Sequence, residues 1–534
     1  MLRRGLFPKE LPRNFSSARA ATCVGALSTP FPAQPKTAQL LRHSLARAGG
    51  VRRILGIPNP IPYYGLCKSI DSNWGAIRRV LQQSVWSLSA PRRGSKDGRS
   101  LEPKIGLSEL SEQRLRSRRV GRYLLTVDLA EFYRSLYSHS IPWALHSKSV
   151  AKARRNDKSL AGNQLDLWVR RCQGDETMGI PVGPDASFLI GELLLSSIDT
   201  RMAQTTEPVS AARYYDDYEL SFLQLADAER ALALFQQTLA DFNLLANPIK
   251  TRIVSLPTTI ESPWTGLLSN ISVGIGPRRK QRLIHFFDTV VEQRRLTSDA
   301  QVIGYAIARF DEPHFLQILD WESWLLIQST LCHLVVNEPS AIVQLIRLLA
   351  NIEIGDFGLY VDRDLLTETL NQIIVSNAPL GHGSEVCWAL WGLIGFGLPV
   401  SAPSCRAVST MPDSVVSLLA LDARSRNLTI GALDDSLWRQ LITNGGLYGE
   451  HWLLAYEAPM QGWLGSRNEI VADPNFSLFE QNNVRFYTKF KRLTKRVVRE
   501  LDLWSSGYDS SDDSDDDPDE EEDDDEESEP PVTL

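Results

Sequence analysis

Cysteine is scarce and dispersed in this 534-residue chain: Cys23, Cys67, Cys172, Cys332, Cys387 and Cys405 include no CxxC pair. That spacing speaks against a zinc site or a disulfide framework and reads as reduced, buried thiols. Long apolar runs are also missing, because charge or glycine interrupts the longest candidates. No stretch therefore reads as a membrane span. Acidic residues are nearly absent from residues 1–48, where Glu10 stands alone among several Arg and Ser. This superficially fits an organellar transit peptide. Pro8, Pro12, Pro30, Pro32 and Pro35 would break its amphipathic helix, so a cytoplasmic N-terminal extension is the preferred reading.

What is present is globular. Hydrophobic residues make up 43% and tryptophan occurs 13 times, enough for real cores in two to four domains. The net charge of −7 hides a division: Asp509 to Glu529 holds sixteen acids and no base, and without them the rest carries +9. A basic body is compatible with a polyanionic partner. The tail, "SSGYDSSDDSDDDPDEEEDDDEESEPP", has too few apolar residues to fold alone and reads as disordered. A second reading makes it a nucleic-acid mimic that competes for a basic groove or for the stretch Arg485–Arg499, expected to be a helix with seven Lys/Arg.

Periodicity divides the chain. Residues 1–50 read as the extension, and 51–125 mix short apolar stretches with basic clusters such as "RLRSRRVGR". From 126 to 275 the order is strand–helix, turn–helix, hairpin, helix–strand, an α+β domain. Within it, 149–176 is polar and reads as a loop or insertion. "MGIPVGPDASFLIGELLLSSIDTRM" is a Gly/Pro turn feeding a helix that Asp185 or Ser187 could cap. From 276 to 505, short apolar-periodic helices follow one another without a strict repeat, suggesting an all-α, loosely HEAT-like array. Residues 506–534 form the acidic tail.

"RYYDDYELSF" (213–222) puts two like charges side by side in a tyrosine-rich strand pair. By composition alone, such a turn is as readily a solvated hairpin tip as a site. Asp128 changes the balance, because it ends the apolar run "YLLTVD" just before a helix-like segment. Taken alone it reads as a helix N-cap. If its strand lies beside the hairpin, Asp128 and Asp216 converge, and with the Leu129 carbonyl they form an oxygen site for Mg²⁺. Two such ions can activate a 3′-hydroxyl and stabilise a leaving pyrophosphate. They also remove the repulsion between the acids.

"TVDLAEFYRSLY", "GIPVGPDAS", "YYDDY" and "NPIKT" occur in the order and spacing of reverse-transcriptase palm motifs, and the chain resembles that family. The resemblance implies a right-hand polymerase with fingers (51–125) and palm (126–275). Asp128, Asp216 and Asp217 would be the acids, with Tyr214 the aromatic partner of the hairpin. Tyr133 would stand at the gate against the 2′-hydroxyl, and Pro181, Gly183 and Ser187 would line the nucleotide. Lys250 would sit near the pyrophosphate as an acid. Val182 departs from the family's Gln, which removes a side-chain contact but not the turn. Arg114, Arg116, Arg118, Arg119 and Arg122 are the candidates to hold the triphosphate, Arg118 and Arg119 being taken forward; each reads equally as part of a solvated basic face.

"GLFPKELPRNFSS", "IPNPIPYYGLCKSIDSNW", "EFYRSLYSHSIPWALHSK" and "EHWLLAYEA" extend the likeness to bacterial reverse transcriptases linked to abortive infection and phage defence, over roughly residues 5–500. That group implies a helical-repeat domain in the place of a thumb. It also implies DNA synthesis from dNTPs that needs no conventional template or primer. Tyr448, Tyr456, Tyr487 or Tyr508 would then be available as a protein primer, although each alone reads as packing or surface. No HNH-type Cys/His cluster is present, and His139 and His146 read as structural. Two other readings stand beside this one: a retron- or intron-like enzyme copying an RNA template, and a silent palm used as an RNA-binding scaffold. Three retained acids speak against the scaffold, and the hairpin and Pro-x-Gly turn speak against a palm-fold cyclase. A homo-oligomer is compatible with helical-repeat surfaces.

Overall fold

The computed structural model of the chain describes residues 1–25, 31, 36–95, 98–271, 278–297, 300–489, 493–495, 497, 498 and 501. Three small sheets lie in its first half. Strands β1 (Leu41–Ala46) and β2 (Arg52–Ile57) form an antiparallel hairpin, as do β3 (Pro91–Arg93) and β4 (Leu101–Pro103). The third sheet holds β5 (Tyr123–Asp128), β6 (Ser210–Tyr214), β7 (Asp217–Phe222) and β8 (Arg252–Ser255) in the order β6-β7-β5-β8, all antiparallel.

Alternation along β5 and β7 gives this sheet two unlike faces. Leu125 pairs with Leu220 and Val127 with Tyr218, all four buried. Helices Asp185–Thr205 and Leu225–Asp241 pack together, and the second lies against β5 and β7. On the opposite face Thr126 is aligned with Glu219 and Asp128 with Asp217, because residues two apart on a strand share a side.

The stretch 149–176 is more regular than its polarity suggests. Helix Lys148–Ala153 reaches into it, and helix Ala161–Arg171 packs on helices Pro60–Ser72 and Ser140–His146. Its buried residues, Ala161, Gly162, Leu165, Asp166 and Val169, recur on one face, but only Leu165 and Val169 among them are large and apolar. His139 Nδ1 lies 2.9 Å from Asp166 Oδ2, and His146 Nε2 accepts the Gly162 N–H, so both histidines fasten this helix.

After β8 the described residues contain helices and no further ladder strand. From Trp321–Asn337 onward, helices pack on neighbours one and two places along: Arg363–Asn377 on Gly383–Phe396, and the latter on Ser414–Ser425. Trp324, Trp388, Trp391, Trp438 and Trp452 are fully buried there. No helix among the described residues is long and apolar enough to cross a membrane.

Residues 1–25 lie between the two halves as a strap. Tyr63 Oη donates to the Gly5 carbonyl, while Trp388 Nε1 reaches the Glu10 carbonyl and Trp391 Nε1 the Asn14 side chain. Phe15 bridges to Tyr487, and Asn14 Nδ2 donates to the Thr488 carbonyl. The β1–β2 hairpin meets the same helical region: buried His43 bonds Asp413 at 2.8 Å, and Arg52 forms a two-pronged pair with Glu385. Residues 485–489 are extended rather than helical, because Phe486 and Thr488 form backbone bonds with Ser16 and Asn14. The remainder of the expected Arg485–Arg499 helix lies partly outside the described residues, and the acidic tail 506–534 with Tyr508 wholly so.

Candidate active site

Asp128 is the last residue of β5, and Asp217, the first of β7, faces it directly. Tyr215 and Asp216 form the turn between β6 and β7, with Tyr215 in the left-handed region at φ 51°. Three carboxylates thus collect at one end of the open sheet face. Asp128 is not a helix cap: the N-cap position of the next helix, Phe132–Ser135, is held by Glu131.

The turn "NPIKT" supplies the counter-charge. Asn247 N–H donates to the Asp128 carbonyl at 2.7 Å and Ala130 N–H to the Leu245 carbonyl, which fixes the loop beside the end of β5. Asn247 Oδ1 accepts the Ile249 N–H in a local turn. Lys250 Nζ then donates to Asp128 Oδ2 at 2.9 Å. The Leu129 carbonyl takes part in neither backbone bond.

One ammonium does not balance three carboxylates. Desolvation in the cleft, then the charges of Asp216 and Asp128, push the Asp217 carboxyl up to about 7. Asp216 is raised by burial and by Asp128, and Lys250 is raised by its bond to Asp128.

Among the described residues, no three His, Cys, Asp or Glu groups already stand at metal-ligand spacing. The donor chemistry nonetheless fits Mg²⁺, which takes one or two carboxylates and completes its shell with water and substrate phosphate. The excess negative charge has the sign such an ion would neutralise. Asp128, Asp216 and Asp217 would hold it.

Of the nucleotide-side candidates, Tyr214 is aligned with Asp217 across β6 and β7, and Tyr133 lies within reach of the Asp216 charge. Tyr133 touches Phe132 edge-on at 5.2 Å and lies over Gly191, where an added Cβ would come 3.4 Å from its hydroxyl. Burial, then Tyr215, Glu192 and Asp216, push its hydroxyl well up. Tyr214 packs edge-on against Tyr215 at 4.9 Å. Pro181 and Gly183 flank Val182, whose carbonyl accepts the Gly56 N–H from β2 at 2.9 Å. Gly183 has φ 121°, and a Cβ there would meet Pro8 at 2.5 Å. Arg99 donates to the Gly183 carbonyl at 2.6 Å and to Asp185 at 2.7 Å. Neither expected cap acts as one, since Pro184 precedes the helix. Asp185 instead accepts the Ser100 and Leu101 N–H groups, and Ser187 is buried.

Other candidates are placed differently from expectation. Arg118 does not stand open to a triphosphate: Glu219 grips its guanidinium with both oxygens, at 3.0 and 2.7 Å, and the Thr259 carbonyl takes a third bond. Arg114 pairs with the same Glu219. Arg119 is exposed after helix Leu107–Arg118. Arg53, which sequence reasoning passed over, is exposed on β2, and its charge reaches both Asp216 and Tyr133. Only the hairpin pairing reveals it.

The tyrosines proposed as primers separate by burial. Tyr456 and Tyr487 are fully buried, their hydroxyls donating to the Val484 carbonyl and to Asp422. Neither is available to an incoming nucleotide in this conformation. Tyr448 is half-buried and bonded to Asp473 and Asn475.

No protein-family model matches the chain, and no curated protein matches it. Among solved structures it is similar to telomerase from Candida albicans in complex with a TWJ fragment of telomeric RNA. The identity is 10% and the TM-score 0.26, over 68% of this chain and 67% of that one. A likeness of that size carries no functional weight, and the reading below rests on the residues.

Proposed function

We propose that the chain is a reverse-transcriptase-like nucleotidyltransferase that builds DNA from dNTPs at the Asp128–Asp216–Asp217 centre. The observation that supports this best is the alignment of Asp128 with Asp217 across β5 and β7, with Asp216 in the adjoining turn and Lys250 on Asp128. Two Mg²⁺ ions held there would lower the pKa of a 3′-hydroxyl and neutralise the leaving pyrophosphate. The chain's own groups have separate tasks. Lys250 stands ready to protonate the leaving group. Arg53 and Arg119 attract the triphosphate from the fingers side. Tyr133 crowds the sugar, and the Gly183 turn lets backbone approach the base.

The motif resemblance extends this to antiphage defence, with a HEAT-like helical domain in the place of a thumb and synthesis that is template-independent and protein-primed. Tyr448 is the most exposed of the three described candidates, although its hydroxyl is bonded to Asp473 and Asn475. An RNA-templated mode shares the same site and differs only in what enters the cleft.

The test is incubation of the purified protein with labelled dNTPs and Mg²⁺, with and without added RNA and primer, beside Asp216→Ala/Asp217→Ala. Label on the protein that is released by protease and absent from the variant supports protein priming. Product only with added RNA supports the templated mode. No product in any condition overturns the polymerase reading in favour of an RNA-binding scaffold.

A further inference from the structure

Beneath the catalytic turn lies a second set of charges that the proposed chemistry does not use. Arg213, Glu192 and Asp199 are each at most 1% exposed. Glu192 and Asp199 lie seven residues apart, on one face of helix Asp185–Thr205. Arg213 Nε donates to both Asp199 oxygens at 3.0 and 2.9 Å, and its two Nη atoms donate to Glu192 at 2.9 and 3.2 Å. Ser84 donates to Asp199, and Ser87 and Ser89 donate to Glu192. Although burial opposes its charge, the two acids hold Arg213 firmly protonated.

The cluster makes two bonds that charge balance does not require. Arg213 Nη1 donates to the Tyr215 carbonyl at 2.9 Å, and Ser89 Oγ accepts the Tyr215 N–H at 2.7 Å. Both polar backbone groups of the one left-handed residue in the turn are thus held from below. The peptide that carries the Tyr215 carbonyl also begins Asp216. The segment around Ser87 is itself fixed to Arg213, whose N–H donates to the Trp86 carbonyl and whose carbonyl accepts the Leu88 N–H, each at 2.8 Å.

We propose that Arg213, with Ser89, is a positioning residue. It holds Tyr215 in its left-handed conformation and so sets where the Asp216 carboxylate stands relative to Asp128. Arginine suits this role because one planar fork serves Asp199, Glu192 and a carbonyl at once, which an ammonium on a flexible stem cannot reproduce. The inference rests on the polymerase reading only for its effect on turnover. Its effect on divalent-ion binding is independent of that reading.

Two variants of the full-length protein test it: Ser89→Ala, which keeps Arg213, Glu192 and Asp199 but removes one of the two serine donors to Glu192 together with the acceptor for the Tyr215 N–H, and Arg213→Lys. Mn²⁺ binding is measured by water-proton relaxation, with Asp216→Ala/Asp217→Ala marking the signal from this site, and dNTP incorporation is followed against Mg²⁺. Ser89→Ala is expected to melt within a few degrees of wild type, to weaken Mn²⁺ binding several-fold and to lower kcat about tenfold, with KM for dNTP changed less than twofold. Arg213→Lys should exceed it in each respect; if it does not fold, Ser89→Ala alone decides. Wild-type ion affinity in folded Ser89→Ala overturns the proposal. Absent incorporation in wild type, with weakened Mn²⁺ binding in the variant, overturns the polymerase reading and leaves the positioning role standing.

Discussion

Two clusters of charge meet one hairpin, one through Arg213 and the other through Asp216 and Asp217, and they are built in opposite ways. In the buried one, two acids face one arginine, with Ser84, Ser87 and Ser89 donating the remaining bonds. In the open one, three acids face one lysine, and the Asp217 carboxyl is pushed up to about 7. A cluster sealed from water must have each charge paired and hydrogen-bonded, as both acids here are by the one arginine and the serines, because unpaired charge in the interior is costly. A cluster at the surface that stays unbalanced is open to a cation from solution. The contrast separates scaffold from site more sharply than either does alone.

The largest expected effect is on activity. Asp128→Asn should lower nucleotide incorporation at least about a hundredfold with little change in melting temperature; incorporation within a few-fold of wild type would place the centre elsewhere. Next comes the buried cluster. Arg213→Met leaves Glu192 and Asp199 without a cation and should cost about 3–5 kcal/mol in denaturant unfolding. Lys250→Met, half-exposed at the open cluster, should cost less than about 1 kcal/mol. Equal costs would break the comparison.

A third buried acid sharpens it. Glu457 has no arginine in salt-bridge contact among the described residues, and burial pushes its carboxyl up to about 7. It accepts the Phe486 N–H at 2.9 Å and a bond from Gln461. A carboxyl whose folded pKa lies above its unfolded value binds more protons when folded. Stability should therefore fall as pH rises from about 4.5 to 7 and then level off. Glu457→Gln should flatten that window and gain up to about 3 kcal/mol at pH 8; an unchanged profile would show that Glu457 is ionised when folded. A smaller loss than at Arg213, though larger than at Lys250, is expected for Gly183→Ala, where φ 121° and Pro8 both oppose a Cβ. A loss of about 2 kcal/mol is expected by thermal melting.

Much of the site was legible because its signals are local. Strand alternation in "YLLTVD" and the paired acids of "YYDDY" require only neighbours in sequence, and the register of β5 on β7 follows from which residues are apolar. What escaped was long-range or weakly patterned. Arg53 gains its place from the β1–β2 pairing, Arg118 loses its freedom to Glu219, and helix Ala161–Arg171 buries Gly162 and Asp166 on the same face as Leu165 and Val169. The primer tyrosines could not be ranked, because burial of Tyr456 and Tyr487 depends on helices and strap assembling around them. The strap itself, short and rich in proline, has no periodicity from which its partners could be named.

That strap gives the chain an order of assembly. Asn14 waits for Thr488, 474 residues later, and at ordinary translation rates that interval is on the order of a minute. Phe7 and Phe15 are synthesised long before their ring neighbours Phe486 and Tyr487. Closing so long a loop is slow, so docking of the strap on residues 486–488 is expected to be among the last steps of folding.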